Sequence, residues 1–495
     1  MSMTTQFEIS KSDVVSRAVA LLIPLAQEAA AAGIVIQDFE RGLFNGLLTV
    51  GGKLMDAFLE AQGNGDQGEN FSHEGQALHR SEEPARRPLR TIFGPHQFEQ
   101  FVYRARSDVK SEIVLRPVDQ RLGLSPERYS PLLQEFSMLF CCEQSFHGSV
   151  AAVDQVFGQR LSVDTLEKIS RRMAAEGEKF LQTLPAPASS EEGEILVKTA
   201  DGKGVPLVKH DAQCLLPFED KAQRPGNRRM ATLACVYSVD RFVRTPAEIV
   251  SMLFRDPIAA VDDRAQGPRP EPKFKRYFAR LPSRVEGLGD ELISGSIQSL
   301  AWAAREVCLR RTPDQVLVRL MDGQHSLWSD AEACRDNLPD THCVDILDLL
   351  HVATYVWTAA KALCSSAAEQ KGFVRERLFR ILSGDVAGVI MGLKQMSTRR
   401  NLRPEKAADI DTVCGYFNAH KDRMKYHEYL AAGYPIATGV IEGACRHIVK
   451  DRLERSGMKW VVEGAQAMLT LRSIKASNAW DDFQKFLHPA SLIAA

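Results

Sequence analysis

Two strand-like segments of this chain stop at the same dipeptide. Ile195–Ala200 runs into Asp201-Gly202, and Val316–Met321 runs into Asp322-Gly323. Both runs are rich in β-branched and other apolar residues, as a buried strand is, and a Gly after the Asp marks the place where such a strand leaves the core. If the two strands are parallel neighbours, they need a crossover between them, and their carboxyl ends then lie on one edge of the sheet. Roughly 120 residues separate the two Asp, which is ample for that crossover. A third acidic residue, Glu442, opens a long helical pattern. Three hard oxygen ligands of this kind suit Mg²⁺ or Mn²⁺, and a pair of such ions can act on both the attacking and the leaving oxygen of an in-line phosphoryl displacement.

The rest of the chain is organised around that pattern. Residues 1–62 form a helical N-terminal region with apolar residues at helical spacing (Phe39, Leu43, Leu47, Leu54, Phe58), and the polar stretch 63–87 reads as a flexible linker. Residues 88–183 read as a β-hairpin turning at Gly94-Pro95, with Arg86, Arg87, Arg90, Arg104 and Arg106 around it, followed by three short helices. The last two, joined by a Gly158 turn and capped by Ser162, fit a helix-turn-helix with Thr165, Lys168, Arg171 and Arg172 on the second helix; an αα-hairpin that only packs fits equally well. After a Pro/Ala/Ser-rich linker the pattern becomes α/β over 194–346, in the strand and helix order of an RNase H-like sheet, with His342–Ile346 its last strand. Residues 347–432 read as an all-helical insertion. Residues 433–480 complete the core through Gly433-Tyr434-Pro435 and the Glu442 helix, and 481–495 read as a tail. On that helix Glu442, Arg446 and Lys450 share a face at i, i+4 and i+8.

Composition narrows the partners. With 62 Lys and Arg against 63 Asp and Glu, the net charge of −1 gives no global nucleic-acid signature, so a DNA surface must come from local segregation of charge. The ten cysteines form no Cys-x-x-Cys pair and read as reduced core thiols of a cytosolic protein. The N-terminus lacks signal architecture, and no apolar run reaches the ~20 residues of a membrane span. No membrane partner is expected.

The motifs resemble those of the ISKra family of bacterial insertion-sequence transposases. The resemblance rests on Ala200–Pro206, on Met321-Asp322-Gly323 with Trp328 beyond, on Gly439–Arg446, and on Lys450-Asp451-Arg452 with Ser456–Trp460. It implies a DDE-type DNA transposase with Asp201, Asp322 and Glu442 as catalytic triad and ligands of two Mg²⁺ or Mn²⁺ ions, with no organic cofactor. It also implies an RNase H-like fold and binding to the terminal inverted repeats of an element and to target DNA as a homo-oligomer, in the bacterial cytoplasm and on the nucleoid. The chain is similar to the broader Mutator-like group in its Asp348 and His351, an Asp-x-x-His pair, but lacks in its hairpin region the Cys or His cluster that holds zinc in some relatives. The other functions compatible with the sequence are an RNase H-like nuclease without strand transfer and a catalytically silent, transposase-derived DNA-binding protein.

Several residues carry a second reading. Asp348 and His351 sit in a strongly apolar helical pattern, where a satisfied core pair competes with an accessory catalytic role. Trp328 and Trp460 fit core packing or stacking on an unpaired base. Arg446, Lys450, Arg452, Arg455 and Lys459 fit a phosphate-binding run beside Glu442, or a solvated face balanced by Asp451 and Glu454.

Overall fold

A computed structural model describes residues 20, 24, 26–106, 108, 111–216, 226–256, 268–284, 291–334 and 343–489. They belong to two compact units, residues 1–169 with 484–495 and residues 170–483. Among the described residues no helix is long and apolar enough to cross a membrane.

After helical residues 26–31, the first unit contains a 26-residue helix, Ile36–Ala61, that buries Leu59 and leaves Phe44, Leu47 and Phe58 exposed. Of the expected helical region 1–62, residues 1–19, 21–23 and 25 lie outside the described residues. Six strands follow: β1 Asn70–His73, β2 Gln76–Arg80, β3 Ala85–Thr91, β4 Gly94–Gln100, β5 Tyr103–Arg104 and β6 Ile113–Leu115. The expected linker 63–87 therefore contains two whole strands and the start of a third. Its few apolar residues are enough because β1 and β2 each cover one face: Phe71 packs on a cluster of Leu78, Phe101, Tyr103 and Leu115. Glu74 and Gly75, at φ 50° and 79°, make the tight turn between them. The hairpin around residue 93 is also present, but Thr91 pairs with Gly94, so its turn is Ile92-Phe93 and not Gly94-Pro95.

The helix pair is present as the sequence suggested. Phe146–Phe157 ends at Gly158 in the left-handed region (φ 64°), and the Ser162 hydroxyl accepts from the Thr165 N–H at 3.1 Å to start Val163–Thr183. That second helix is 21 residues long, far longer than a recognition helix needs to be.

The second unit is built on a five-stranded mixed sheet. Its strands are β7 Ile195–Pro206, β8 Arg228–Val239, β9 Lys273–Arg280, β12 Val316–Met321 and β13 Cys343–Leu347; Ser283–Arg284 and Leu292–Ile293 form a separate short pair, β10 and β11. The order across the sheet is β13-β12-β7-β8-β9. β7, β8 and β9 form an antiparallel meander, while β12 runs parallel to both β7 and β13. Helix Gly295–Arg310 supplies the crossover to β12 and packs on β8 and β9, where Trp302 stacks on Phe278 and the Ser299 hydroxyl donates to the Thr232 carbonyl. His342 lies outside the described residues, and β13 ends at Leu347.

Five α-helices and one short 3₁₀ turn, Lys421–Arg423, then follow from Leu349 to Ala431, the expected all-α stretch. The chain returns through Gly433 (φ 75°) to the helix Gly439–Ala444. The helical pattern beyond it is not one α-helix: Cys445–Lys450 is a six-residue π-helix, and α-helix resumes at Asp451–Leu453 and again at Val462–Ala476. The expected C-terminal tail begins as helix, Trp480–Leu487. Six of the ten free thiols are buried, whereas Cys214 and Cys308 are exposed and Cys334 and Cys343 half-buried, so the core-thiol expectation holds for part of the set.

Candidate active site at the carboxyl edge of the central sheet

The position of β12 between two parallel neighbours determines the site. Pairing with β7 sets Arg319 beside Lys198, and pairing with β13 sets Met321 beside Leu347. Extended three residues past its last pair, the β12–β7 register points Asp322 toward Asp201, and extended one residue the β12–β13 register sets Asp322 toward Asp348. The Asp348 N–H donates to the Met321 carbonyl at 2.9 Å, which extends the ladder by one step. The residues just before these, Ala200, Met321 and Leu347, are buried core, while Asp201 and Asp322 are half-buried. β7 does not end at Asp201, however. It continues to Pro206, paired with β8, so Asp201 lies mid-strand where the parallel neighbour stops.

Glu442 comes to this edge from a helix. It occupies the first turn of Gly439–Ala444, and the N–H of the preceding Thr438 donates to Asp348 Oδ1 at 2.9 Å. Asp348 is fully buried and accepts three further hydrogen bonds, from the Leu350 and His351 N–H groups at 3.2 Å each and from His351 Nδ1 at 2.8 Å. A carboxylate with four donors already in place is a poor metal ligand and a good anchor. Because Nδ1 must donate to it, Nε2 is the His351 nitrogen left for a ligand. Among the described residues, Asp348, His351 and Glu442 bring one potential ligand atom each within 4.8 Å of one another.

The electrostatics show an acid surplus. Burial, with a smaller push from Asp322, raises the Asp201 carboxyl above its ordinary value, against the Gly202 N–H, the Cys445 thiol and Lys203. Burial raises Glu442 as well, helped by Asp348 and Asp201 and opposed by His351 and Lys203. The hydrogen bond to Asp348 raises His351, to which Asp322 and Glu442 contribute. Carboxylates crowded at half-buried positions resist ionising together, and a bound divalent cation removes that penalty. Among the described residues the group whose ligand atoms converge is Asp348, His351 and Glu442, and Asp201 and Asp322 are not part of it; a site of carboxylate oxygens with one imidazole nitrogen suits a divalent cation.

The helical insertion reaches into the Asp322 turn. Asp322 Oδ1 accepts from the Gln324 N–H at 3.0 Å, and its carbonyl accepts from Trp328 Nε1 at 2.6 Å. A Cβ on Gly323 would lie 2.3 Å from the Tyr416 ring, which stacks on Tyr355 with centroids 3.8 Å apart. Arg423 covers the Trp328 ring at 4.1 Å. Only glycine fits that turn.

Other expected site residues fare differently. Arg446 and Lys450 are exposed, the former with 74% of its side chain accessible and 3.9 Å from Asp451. They lie in the π-helix, whose turn is wider than an α turn and keeps positions four apart close in angle. Arg455 is exposed and donates to the Asp451 carbonyl. Arg452, expected in the basic run, is instead 1% exposed and lies 4.8 Å over the Trp460 ring. Trp328 and Trp460 are both buried with their N–H groups bonded, the latter to Leu453, so neither offers an open face to a base. Arg171 and Arg172 are half-buried, with Arg171 4.0 Å from Glu463, and they lie in the third turn of their helix. Asp348 is the residue whose place the sequence reading missed. Its signal was there, since Cys343–Leu347 followed by Asp348 repeats the strand-then-Asp pattern without the Gly.

No protein-family model and no curated protein matches this chain. Among solved structures, a Drosophila P element transposase strand transfer complex aligns over 73% of this chain and 82% of its own, at 10% identity and a TM-score of 0.22. That likeness is too slight to carry any part of the case for the site.

Proposed function

We propose that this chain is a metal-dependent DNA transposase of the DDE type, which binds the terminal inverted repeats of its element, cleaves DNA there and joins the freed ends to a target. The observation that supports the reading is that Asp201 and Asp322 lie just past the paired parts of the parallel neighbours β7 and β12, near enough for Asp322 to act on Asp201, while Asp348 and Asp201 act on Glu442. An antiparallel meander followed by two parallel strands, in the order β13-β12-β7-β8-β9, supports an RNase H-like core. The three sequence blocks around Asp201, Asp322 and Glu442 support kinship with the ISKra transposases.

Asp201, Asp322 and Glu442 would hold the cations, two Mg²⁺ or Mn²⁺. Bound there, such ions supply Lewis-acid charge neutralisation at the attacking and leaving oxygens. The chain's own residues do the positioning. Asp201 and Asp322 are fixed by adjacent strands, and Asp348 holds the His351 ring so that Nε2 points to a phosphate oxygen. Arg446 and Lys450, on the exposed face beyond Glu442, hold the strand being cut. In cleavage a water oxygen bonds to phosphorus as the bond to the 3′ oxygen breaks. In strand transfer the freed 3′-OH replaces water in the same displacement, so one site serves both steps. Two ends held together call for an oligomer on DNA.

The test uses the purified full chain, DNA carrying the element's inverted repeats, a target plasmid, and Mg²⁺ or Mn²⁺. Cleaved ends and joined product, both lost in Asp201→Asn, are expected. Cleavage that never yields joined product from pre-cut ends reduces the protein to a nuclease, and cleavage equal in wild type and Asp201→Asn overturns the site.

A further inference from the structure

We propose that a basic cleft within the first unit seats the phosphate backbone of duplex DNA. The cleft has a volume of about 500 Å³ and lies between β3, the turn at Arg116, the loop around Arg128 and the first turns of the Val163–Thr183 helix. Arg86, Arg116, Arg128 and Lys168 line it against Glu127 and Asp164. Lys168 pairs with Asp164 at 2.8 Å and Arg86 stands 3.7 Å from Glu99; both pairs are exposed and weak, so a phosphate can compete for either cation. Neither Arg116 nor Arg128 has an ion-pair partner among the described residues.

The wall behind these cations is built to hold them. Arg87 is buried, with Nε 2.9 Å from Asp119 Oδ2 and Nη2 donating to the Ser125 and Glu127 carbonyls at 2.7 and 2.8 Å. Gln100 completes the network: its Nε2 donates to Asp119 Oδ1, and its Oε1 accepts from the Val118 and Asp119 N–H groups. The Arg90 backbone fastens the same loop through Arg128 and Ser130. One buried ion pair thus anchors both the loop before Arg128 and the short helix after Arg116. Burying such a pair adds less stability than apolar packing would, and its return here is the fixed placement of guanidinium groups across an open cleft.

The lining favours a backbone over a base or a free nucleotide. Tyr129 is its one aromatic ring, with the hydroxyl 3.4 Å from Thr165 Oγ1, so there is no pair of faces to sandwich a base. Cations from several elements along an open groove suit successive phosphates. The choice of DNA among polyanions rests on the function proposed above; the cleft itself does not.

The experiment measures duplex DNA affinity of the full chain in EDTA, across a salt series, so that binding is read without cleavage. Arg116→Glu with Arg128→Glu should weaken binding at least tenfold and lower the slope of log affinity against log salt by about 2. Arg41→Glu with Lys53→Glu, the same charge change on the exposed face of the Ile36–Ala61 helix, should do much less. Circular dichroism checks the fold; if the reversals unfold the unit, Arg116→Gln with Arg128→Gln carries the test with the same expected direction. Equal losses in the cleft and control variants, an unchanged slope, displacement of DNA by millimolar inorganic phosphate alone, or a preference for RNA over duplex DNA would each overturn the proposal. A chain that binds duplex through the cleft yet never cuts it leaves the cleft standing and sinks the transposase reading.

Discussion

Two clusters of buried or half-buried charge, one in each unit, are balanced differently, although the second unit also contains a closed buried pair, Arg310 with Glu192 at 2.8 Å. In the first, Arg87 and Asp119 face each other in the core, and Gln100 and backbone groups take up the remaining donors and acceptors. In the second, Asp201, Asp322, Asp348 and Glu442 gather at one sheet edge, with Lys203 and His351 as the cations that act on them. The first arrangement is complete within the chain. In the second, Asp348 is satisfied by four donors within the chain, whereas burial and like charge raise Asp201 and Glu442, a penalty that a bound cation would relieve. Stability and function therefore separate by charge balance: removing a partner should unfold the one and disarm the other.

The largest effect should come at the sheet edge. Asp201→Asn, Asp322→Asn or Glu442→Gln removes a ligand charge while keeping shape, and should lower Mg²⁺-dependent or Mn²⁺-dependent cleavage by about 10³-fold or more. The melting temperature should hold or rise, because like-charge crowding is relieved. A mutant that melts early while cleaving normally would erase the contrast between the units.

In the first unit the expectation is reversed. Asp119→Ala leaves Arg87 buried without its partner and should destabilise by about 3–5 kcal/mol. Replacing both, Arg87→Met with Asp119→Leu, should cost clearly less than the single change. Denaturant titration reads both, and a single mutant near wild type would show that the pair is not what holds the β3 wall.

A smaller effect tests how the helical insertion supports the edge. Gly323→Ala drives a methyl into the Tyr416 ring and should cost about 1–3 kcal/mol together with part of the activity. Tyr416→Ala in the same chain makes room. Recovery of cleavage in the double mutant ties the Asp322 turn to the insertion, and additive losses would separate them.

The parts of this architecture that rest on local pattern were legible in the sequence. The β7 and β12 runs with their Asp-Gly ends, the Ser162 cap and Gly158 turn, and the helical stretch after Leu349 all announce themselves by periodicity and turn chemistry. Strand pairing that needs few apolar residues did not. β1 and β2 looked like linker because Phe71 and Leu78 are nearly alone in facing a core. Register was likewise invisible, so Asp348 read only as part of a helix although it caps that helix directly after the third parallel strand and bonds the Met321 carbonyl. Side-chain fate also depends on packing from afar: Arg452 looked like one more cation in a basic run until Trp460 is seen beneath it.

The finest test of the contrast concerns cations near the acidic edge that have no core role. Arg446 and Lys450 are exposed on the π-helix that follows the Glu442 turn, and Arg446 has only a long contact of 3.9 Å to Asp451. An exposed pair of that kind contributes little to stability, so losing it should leave melting unchanged. If both side chains hold phosphates, Arg446→Ala with Lys450→Ala should weaken binding to matched and mismatched DNA ends by a similar factor and lower the salt slope by up to about 2, since each phosphate neutralised contributes about 0.9. Specificity should stay, because a phosphate carries no base information. The competing role, a solvated face balanced by Asp451 and Glu454, predicts unchanged slope and unchanged cleavage. Affinity of the double mutant across a salt series separates the two, and a flat comparison with wild type would leave the carboxylate edge without its clamp.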